Sequence, residues 1–273
     1  MLRLKFMFFF LCFSVLGLYS QKIYVLSVGI ADYKEINDLK LTENDVRTFN
    51  ELMGCQDAEI TTLLGARATH ARIISSLRAS FAKAKKEDTM IFYFSGHGYE
   101  GGFCCWDMSG DSPALSGNSA TQNAQERSRL ASANKYYGGL SYSEMQILFR
   151  NCRAGKKIVF ADACFSGGLR KGNQLNVSVQ SARNGDVIYF LSSRTDETSI
   201  EMAQGTNGLF TYYLAEGLRG ESDANKDNQI TIKEIYDYVY QSVVDYANKI
   251  HYLQHPVLWG KFNETLPVFY LTK

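Results

Sequence analysis

The sequence predicts an α/β fold with a mostly parallel central sheet and helices on both faces, and two observations carry that prediction. Short apolar runs recur along the chain: IYVLSVGI at 23–30, AEITTLL at 58–64, MIFYFS at 90–95, KIVFA at 157–161 and DVIYFLSS at 186–193. They are rich in Val, Ile and Phe and mostly lack polar alternation, as strands covered on both faces do. Between them lie amphipathic stretches, and strand–helix alternation of this kind belongs to a doubly covered sheet.

The helical stretches show themselves by spacing. Val46, Phe49, Leu52 and Met53 form one apolar stripe behind a cap expected at Thr42. Ile73, Ile74, Leu77 and Phe81 form a second, and Met145, Leu148 and Phe149 a third behind SYSE, where Ser141 and Glu144 have capping-box spacing. Later helices are expected over 207–219 and 231–248, and the tail HPVLWGKFNETLPVFYL reads as extended packing. Two regions break the rhythm. Residues 99–139 and 167–185 are polar and Gly-rich with little periodicity, so each is functional or flexible. No internal repeat or linker divides the chain.

The 273 residues are 45% hydrophobic with a net charge of +1, enough for one sizeable core and without the basic excess of a general nucleic-acid binder. The N-terminus, MLRLKFMFFFLCFSVLGLYSQ, opens with Arg3 and Lys5, continues through the apolar run 6–18 and reaches a small residue at Ser20. That is the plan of an export signal over 1–20, removed to leave a domain at 21–273. The run is shorter than the roughly 20 residues a membrane span needs, so no stable membrane insertion is expected after cleavage. The remaining cysteines, Cys55, Cys104, Cys105, Cys152 and Cys164, are odd in number, which leaves at least one thiol unpaired. Cys104 and Cys105 lack a second cysteine pair, so no zinc site is expected. A disulfide from either to Cys55 or Cys152 stays open.

In open parallel sheets the chemistry gathers beyond the carboxyl ends of the strands. FSGHG at 94–98, DACFSGG at 162–168 and LSSR at 191–194 all fall there. The first gives His97 and the second Cys164. A thiol is mostly protonated near pH 7, so a neighbouring imidazole makes it a competent nucleophile. Only four histidines occur in the chain, and one at the same sheet edge as the thiol is a meaningful coincidence. The backbone N–H groups of Gly98 and Cys164 are natural donors for an oxyanion. Read singly, each residue is equally an ordinary turn histidine or a buried cysteine.

At these residues the chain resembles the caspase-like cysteine peptidases, and among them the metacaspase and bacterial caspase-like branch. That family sets its histidine in S-G-H-G and its cysteine in D-x-C-x-S-G, as here. The resemblance extends over most of 22–260 through VGIADY, ENDV at 43–46, LSSRTDETS at 191–199 and GLFTYYLAEGL at 208–218. It implies the caspase-like (caspase-hemoglobinase) fold, with Cys164 as nucleophile and His97 as its acid–base partner.

Caspases carry Gln two positions before the cysteine, where this chain has Asp162. A carboxylate there favours a cationic substrate side chain. The resemblance implies that Asp162, Asp45 and Ser95 line the first specificity pocket and that cleavage follows Arg or Lys. It further implies that Ser193 and Arg194 pair with extended substrate. The plainer alternatives are that Asp45 serves the first turn of its helix and that Asp162 orders its loop. Related peptidases cut themselves after the cysteine strand, and Arg170, Lys171 and Arg183 are suitable places.

DANKDNQITIKE at 223–234 has the ligand spacing of an EF-hand loop, with Asp223, Asn225, Asp227, Gln229, Thr231 and Glu234 in the coordinating places. Asn228 stands where glycine is usual and tolerates the left-handed turn better than most residues. A structural Ca2+ is the expected ion, and no cofactor is required for the chemistry. The alternative is a polar turn that caps the next helix. The calcium-binding aspartates common in metacaspases are not matched, since Lys171 occupies one neighbourhood and GGFCCWDMSGDS the other.

The expected function is therefore that of an exported, periplasmic or extracellular, cysteine endopeptidase acting on peptides or proteins with a basic P1 residue. Two rivals are a silent binding module of the same fold and a thiol acyltransferase or amidase.

Overall fold

The computed structural model describes residues 21–99, 101–109, 137–164, 187–194, 197–202 and 205–271, with backbone alone at Tyr137 and Cys164. The export signal at 1–20 and the segment bearing Arg170, Lys171 and Arg183 lie outside the described residues.

The apolar runs form parallel strands β1 (Ile23–Gly29), β2 (Ala58–Leu64), β3 (Thr89–Tyr99), β6 (Lys156–Cys164) and β7 (Val187–Leu191). Between β3 and β6 lie β4 (Gly102–Ser109) and β5 (Tyr137–Ser141); β8 (Gln229–Thr231) pairs with β10 (Pro267–Tyr270) in a separate sheet, and β9 (Val257–Trp259) adds an antiparallel edge to the main one. The main sheet is eight-stranded, in the order β2-β1-β3-β6-β7-β9, with β4 joined to β3 and β5 to β4. The region 99–139, read as irregular, thus carries two strands at its ends. Gly101 turns with φ of 97°, where a side chain is strained, and the chain doubles back with Gly98 opposite Phe103. No apolar alternation long enough to announce these strands exists in the sequence.

Strand residues alternate between two cores. Tyr24, Leu26 and Val28 face one, with Ile73, Leu77 and Phe81 of α2 (His70–Lys83) and Met145 and Phe149 of α3 (Tyr142–Arg150). Ile23 and Val25 face the other, with Val46 and Phe49 of α1 (Thr42–Gly54), Phe210 and Leu214 of α4 (Leu209–Glu216), and Ile235 and Val239 of α5 (Ile232–Lys249). Apolar residues on both faces explain the unbroken hydrophobic runs. Phe49 stacks on Tyr93 at 4.2 Å between ring centroids and packs on Phe160 at 5.7 Å. Truncating it to alanine costs about 3–5 kcal/mol by cavity arithmetic.

One helix start and one helix end differ from the reading. α1 begins one residue early, with Leu41 as its cap and no side-chain cap bond. Thr42 is buried inside the first turn with its hydroxyl unpaired, because Leu41 is already helical in backbone conformation. The N–H groups of Lys40 and Leu41 are taken by Glu201 instead, each at 3.0 Å. Ser141 does cap α3 by accepting the N–H of Glu144, while the Glu144 carboxylate pairs with His70 at 2.9 Å. α4 ends at Glu216 in a wide turn over Gly217–Glu221, where Gly220 has φ of 124°.

Cys104, Cys105 and Cys152 are buried free thiols and Cys55 is exposed and free, so the disulfides left open among these four are not formed. Among the described residues no helix is long and apolar enough to cross a membrane.

Candidate active site

β3 and β6 run side by side for nine residues, and their register sets the site. Ser95 opposes Asp162, Gly96 opposes Ala163 and His97 opposes Cys164. Both strands outrun the expected segments, so FSGHG and DAC are strand ends where turns were read. Neighbouring strands lie roughly 4.8 Å apart, which brings the backbone at positions 97 and 164 next to each other. A strand repeats its face every second residue, and two steps separate the Ser95/Asp162 pair from the His97/Cys164 pair. The sulfur of Cys164 lies outside the described atoms.

His97 is held from three directions. Its backbone N–H donates to the hydroxyl of Tyr33 at 2.7 Å, and its ring leans on the Tyr33 ring at 5.1 Å between centroids. Its Nε2 lies 2.7 Å from the carbonyl oxygen of Asn37. The Tyr33 hydroxyl reaches this place because residue 96 is glycine: a Cβ there would fall 2.5 Å from it. Gly98, expected to help hold an oxyanion, opens the β3–β4 hairpin immediately beyond His97.

Beside these residues is an open pocket, lined among others by Asp45, Ser95, Asp162, Ser199, Glu201 and Gly208. Asp45 comes from the first turn of α1, and its side chain is turned inward. Its Oδ2 accepts from the Ser95 hydroxyl at 2.7 Å, and its Oδ1 from Asn207 Nδ2 at 3.0 Å and the Gly208 N–H at 2.9 Å. Asp162 accepts from the Ser199 hydroxyl at 2.5 Å and from the hydroxyl and N–H of Thr211 at 2.8 and 3.1 Å. Asp45 is only 2% exposed and Asp162 only 6%.

All of these hydrogen-bond partners are neutral. Burial is the main cause that pushes Asp45 up to about 7, with the charge of Asp162 adding to it. Asp162 is also raised, chiefly by burial, against the bonds from Ser199 and Thr211. Two buried carboxylates in one pocket, with no cation against them among the described residues, resist carrying two charges, and their titration belongs to the pair. Gly208 keeps the space between them, since a Cβ there would lie 2.4 Å from Asp162 Oδ2 and 3.3 Å from Asp45 Oδ2.

The structure therefore brings Asp45, Ser95 and Asp162 together in one pocket. Ser193 and Arg194 follow β7 nearby. Ser193 is buried and donates to the Glu197 carbonyl at 3.3 Å, while Arg194 is exposed and its N–H meets the Glu197 carboxylate at 3.3 Å. Tyr33, Ser199, Glu201, Asn207, Gly208 and Thr211 carry no role in the sequence reading. Most sit in or beside VGIADY, LSSRTDETS and GLFTYYLAEGL, so the signal was present as motif without function.

The loop 223–234 stands apart, leading into α5. Asp223 accepts the N–H groups of Asp227 and Asn228 at 3.2 and 3.0 Å, Asn225 that of Asp227 at 2.9 Å, and Asp227 that of Gln229 at 2.8 Å. Asn228 does take the left-handed conformation, with φ of 64°. Thr231 and Glu234 form a reciprocal capping box on α5, which is the alternative weighed for this loop. Among the described residues no three His, Cys, Asp or Glu side chains converge as metal ligands.

Comparison with known proteins agrees with this architecture. The family model of the caspase domain matches residues 22–266. The chain belongs to the caspase-domain family, whose members form a cysteine peptidase family. Among solved structures it is similar to protein GSU0716 from Geobacter sulfurreducens, with a TM-score of 0.57 and 17% identity over 92% of this chain and 100% of that one. At that identity the likeness is one of fold. No curated protein matches the chain.

Proposed function

We propose that this protein is an exported cysteine endopeptidase that cuts after Arg or Lys, with Cys164 as nucleophile and His97 as acid–base partner. The observation that carries the specificity is the pair Asp45 and Asp162, buried in one pocket with neutral hydrogen-bond partners among the described residues. An ammonium or guanidinium group entering that pocket supplies the missing positive charge. An acidic side chain would add further negative charge to a desolvated pair that already resists carrying two.

The reaction follows from the chain's own groups. The Cys164 thiolate, its proton taken by His97, adds to the carbonyl carbon of the basic residue. The resulting oxyanion is held by the backbone N–H groups of Gly98 and Cys164. His97 gives its proton to the leaving amine, and the C–N bond breaks to leave a thioester. Water, deprotonated by His97, then hydrolyses the thioester and releases the carboxylate. Arg194 and the backbone of Ser193 extend the substrate contact along the segment after β7.

Export rests on the leader plan of residues 1–20 and self-cleavage on the basic residues of 167–185. A structural Ca2+ at 223–234 would be held by Asp223, Asn225, Asp227, the Gln229 carbonyl, Thr231 and Glu234. Those oxygens suit a hard cation, and Glu234 would have to leave its capping box to join them.

The test is a panel of fluorogenic peptides ending in Arg, Lys or Asp, run with wild type and Cys164→Ala. Hydrolysis after Arg and Lys that disappears in the variant is expected. A folded, fully processed protein that cleaves none of them points to the silent binding module. A product joined to an amine in place of a free carboxylate points to acyl transfer.

A further inference from the structure

We propose that Gln254 is a positioning residue for the carboxylate of Asp162, acting through the hydroxyl of Ser199. The proposal rests on the reading of Asp162 as a pocket acid.

Gln254 lies between α5 and β9 and is wholly buried, at 0% exposure. Its amide is used at both ends. Oε1 accepts the N–H of Ile200 at 2.9 Å. Nε2 donates to the Ser192 carbonyl at 3.1 Å and to Ser199 Oγ at 3.3 Å. An amide nitrogen has two protons, and here two acceptors receive them. A serine hydroxyl has a single proton. With an amide N–H aimed at the Ser199 oxygen, that proton is directed to Asp162 Oδ1, 2.5 Å away. The result is a directed chain of hydrogen bonds from the C-terminal segment to the pocket wall.

The next residue holds the other end of the same segment. His255 donates its N–H to Glu197 Oε2 at 2.7 Å, and its Nδ1 lies 2.6 Å from Glu197 Oε1. Glu197 in turn receives the N–H of Arg194. Two consecutive residues thus bond to Ser192, Glu197, Ser199 and Ile200, and Glu197 in turn holds the N–H of Arg194. Beyond Ser199, Asp162 is faced by Thr211, by Asp45 across Gly208, and by Glu201 at the rim. Tyr93 stands behind Thr211, with the two hydroxyl oxygens 2.7 Å apart.

The test is carbon-13 NMR of the side-chain carboxyls in the free protein, with Asp162 assigned through Asp162→Asn and titrated in wild type, Gln254→Met, Ser199→Ala and the double variant. A hydrogen bond from Ser199 favours the charged form. Gln254→Met is therefore expected to move the Asp162 midpoint up in the same direction as Ser199→Ala, with no further movement in the double variant. KM for an Arg-terminated peptide should rise about fivefold, the size of one hydrogen bond, with kcat nearly unchanged. Alkylation of Cys164 by iodoacetamide should keep its wild-type rate. An Asp162 midpoint that Ser199→Ala moves and Gln254→Met leaves in place overturns the proposal, as does a fall in kcat and alkylation at constant KM. Should Gln254→Met not fold, Gln254→Asn keeps a neutral amide but draws it back from Ser199 by one methylene, and the same outcomes decide. A wild type that cuts Arg- and Asp-terminated peptides alike sinks the basic-pocket reading, whereas the titration still judges Gln254.

Discussion

The Nε2 atom of His97 lies 2.7 Å from the carbonyl oxygen of Asn37. A backbone carbonyl only accepts, so Nε2 carries the ring proton in the neutral imidazole and Nδ1 is left with the lone pair. The loop after β1 thereby sets the tautomer of a residue at the end of β3. In the proposed mechanism Nδ1 is the atom that takes the thiol proton.

Tyr33 supports the same histidine from below, accepting its N–H and donating to the Cys104 carbonyl at 3.4 Å. Tyr33→Phe leaves that part-buried N–H without its acceptor, at a cost of about 1 kcal/mol. We predict a lower melting temperature and a kcat reduced about tenfold, with KM unchanged. Steady-state kinetics beside a thermal melt checks this, and a change confined to KM contradicts it.

Asp45 makes activity and stability depend on pH in opposite senses. Its pKa is raised from the ordinary 3.8 to about 7, so the folded state favours the protonated acid. The stability this gives is full below pH 3.8 and is lost as pH rises through about 7. kcat/KM toward Arg-terminated peptides should climb over the upper part of that window as the charge appears. Asp45→Asn keeps an acceptor for Asn207 and Gly208 and an N–H for Ser95. It should raise the melting temperature at pH 8, not at pH 4, and cut kcat/KM for Arg peptides at least tenfold, the scale of a lost charge contact. Melts and pH–rate profiles of both proteins decide.

Gly208 separates the two pocket acids. In Gly208→Ala the new methyl carbon would fall 2.4 Å from Asp162 Oδ2, so the carboxylate or the backbone must move. KM for Arg peptides is expected to rise more than tenfold, since small displacements at a site are costly. Iodoacetamide alkylation of Cys164 should proceed at the wild-type rate.

Asp223 is an acceptor for two backbone N–H groups of its own loop. Asp223→Ala should destabilise the protein by about 1 kcal/mol even in chelator, since water replaces the lost acceptor at these exposed N–H groups. If the loop also holds Ca2+, the ion raises the wild-type melting temperature and leaves that of the variant unchanged. Urea melts of both proteins with Ca2+ and with chelator measure the two effects separately.

The strands were legible because the sheet is covered on both faces, which writes each of them as an unbroken apolar run. β4 and β5 were not, because GFCCWDMS shows neither a long apolar run nor a polar alternation and YGGLS is short with two glycines. Their pairing depends on a hairpin that only the folded β3 provides. The site was half legible. Asp45, Ser95 and Asp162 could be grouped through motifs, but their separations in sequence give no hint that Asn207, Gly208 and Thr211 supply the hydrogen bonds. Gln254 was invisible for the same reason: it reaches Ser192 across 62 residues, with nothing periodic around it. Thr42 looked like a cap from composition alone, and the neighbouring Leu41 had already entered the helix.

The most direct measurement is mass spectrometry of the protein after exposure to peptide chloromethyl ketones ending in Arg or in Asp. The account predicts a single adduct on Cys164 with the Arg reagent, none with the Asp reagent, and no adduct in Cys164→Ala. Equal labelling by both reagents, or an adduct on another cysteine, would contradict it.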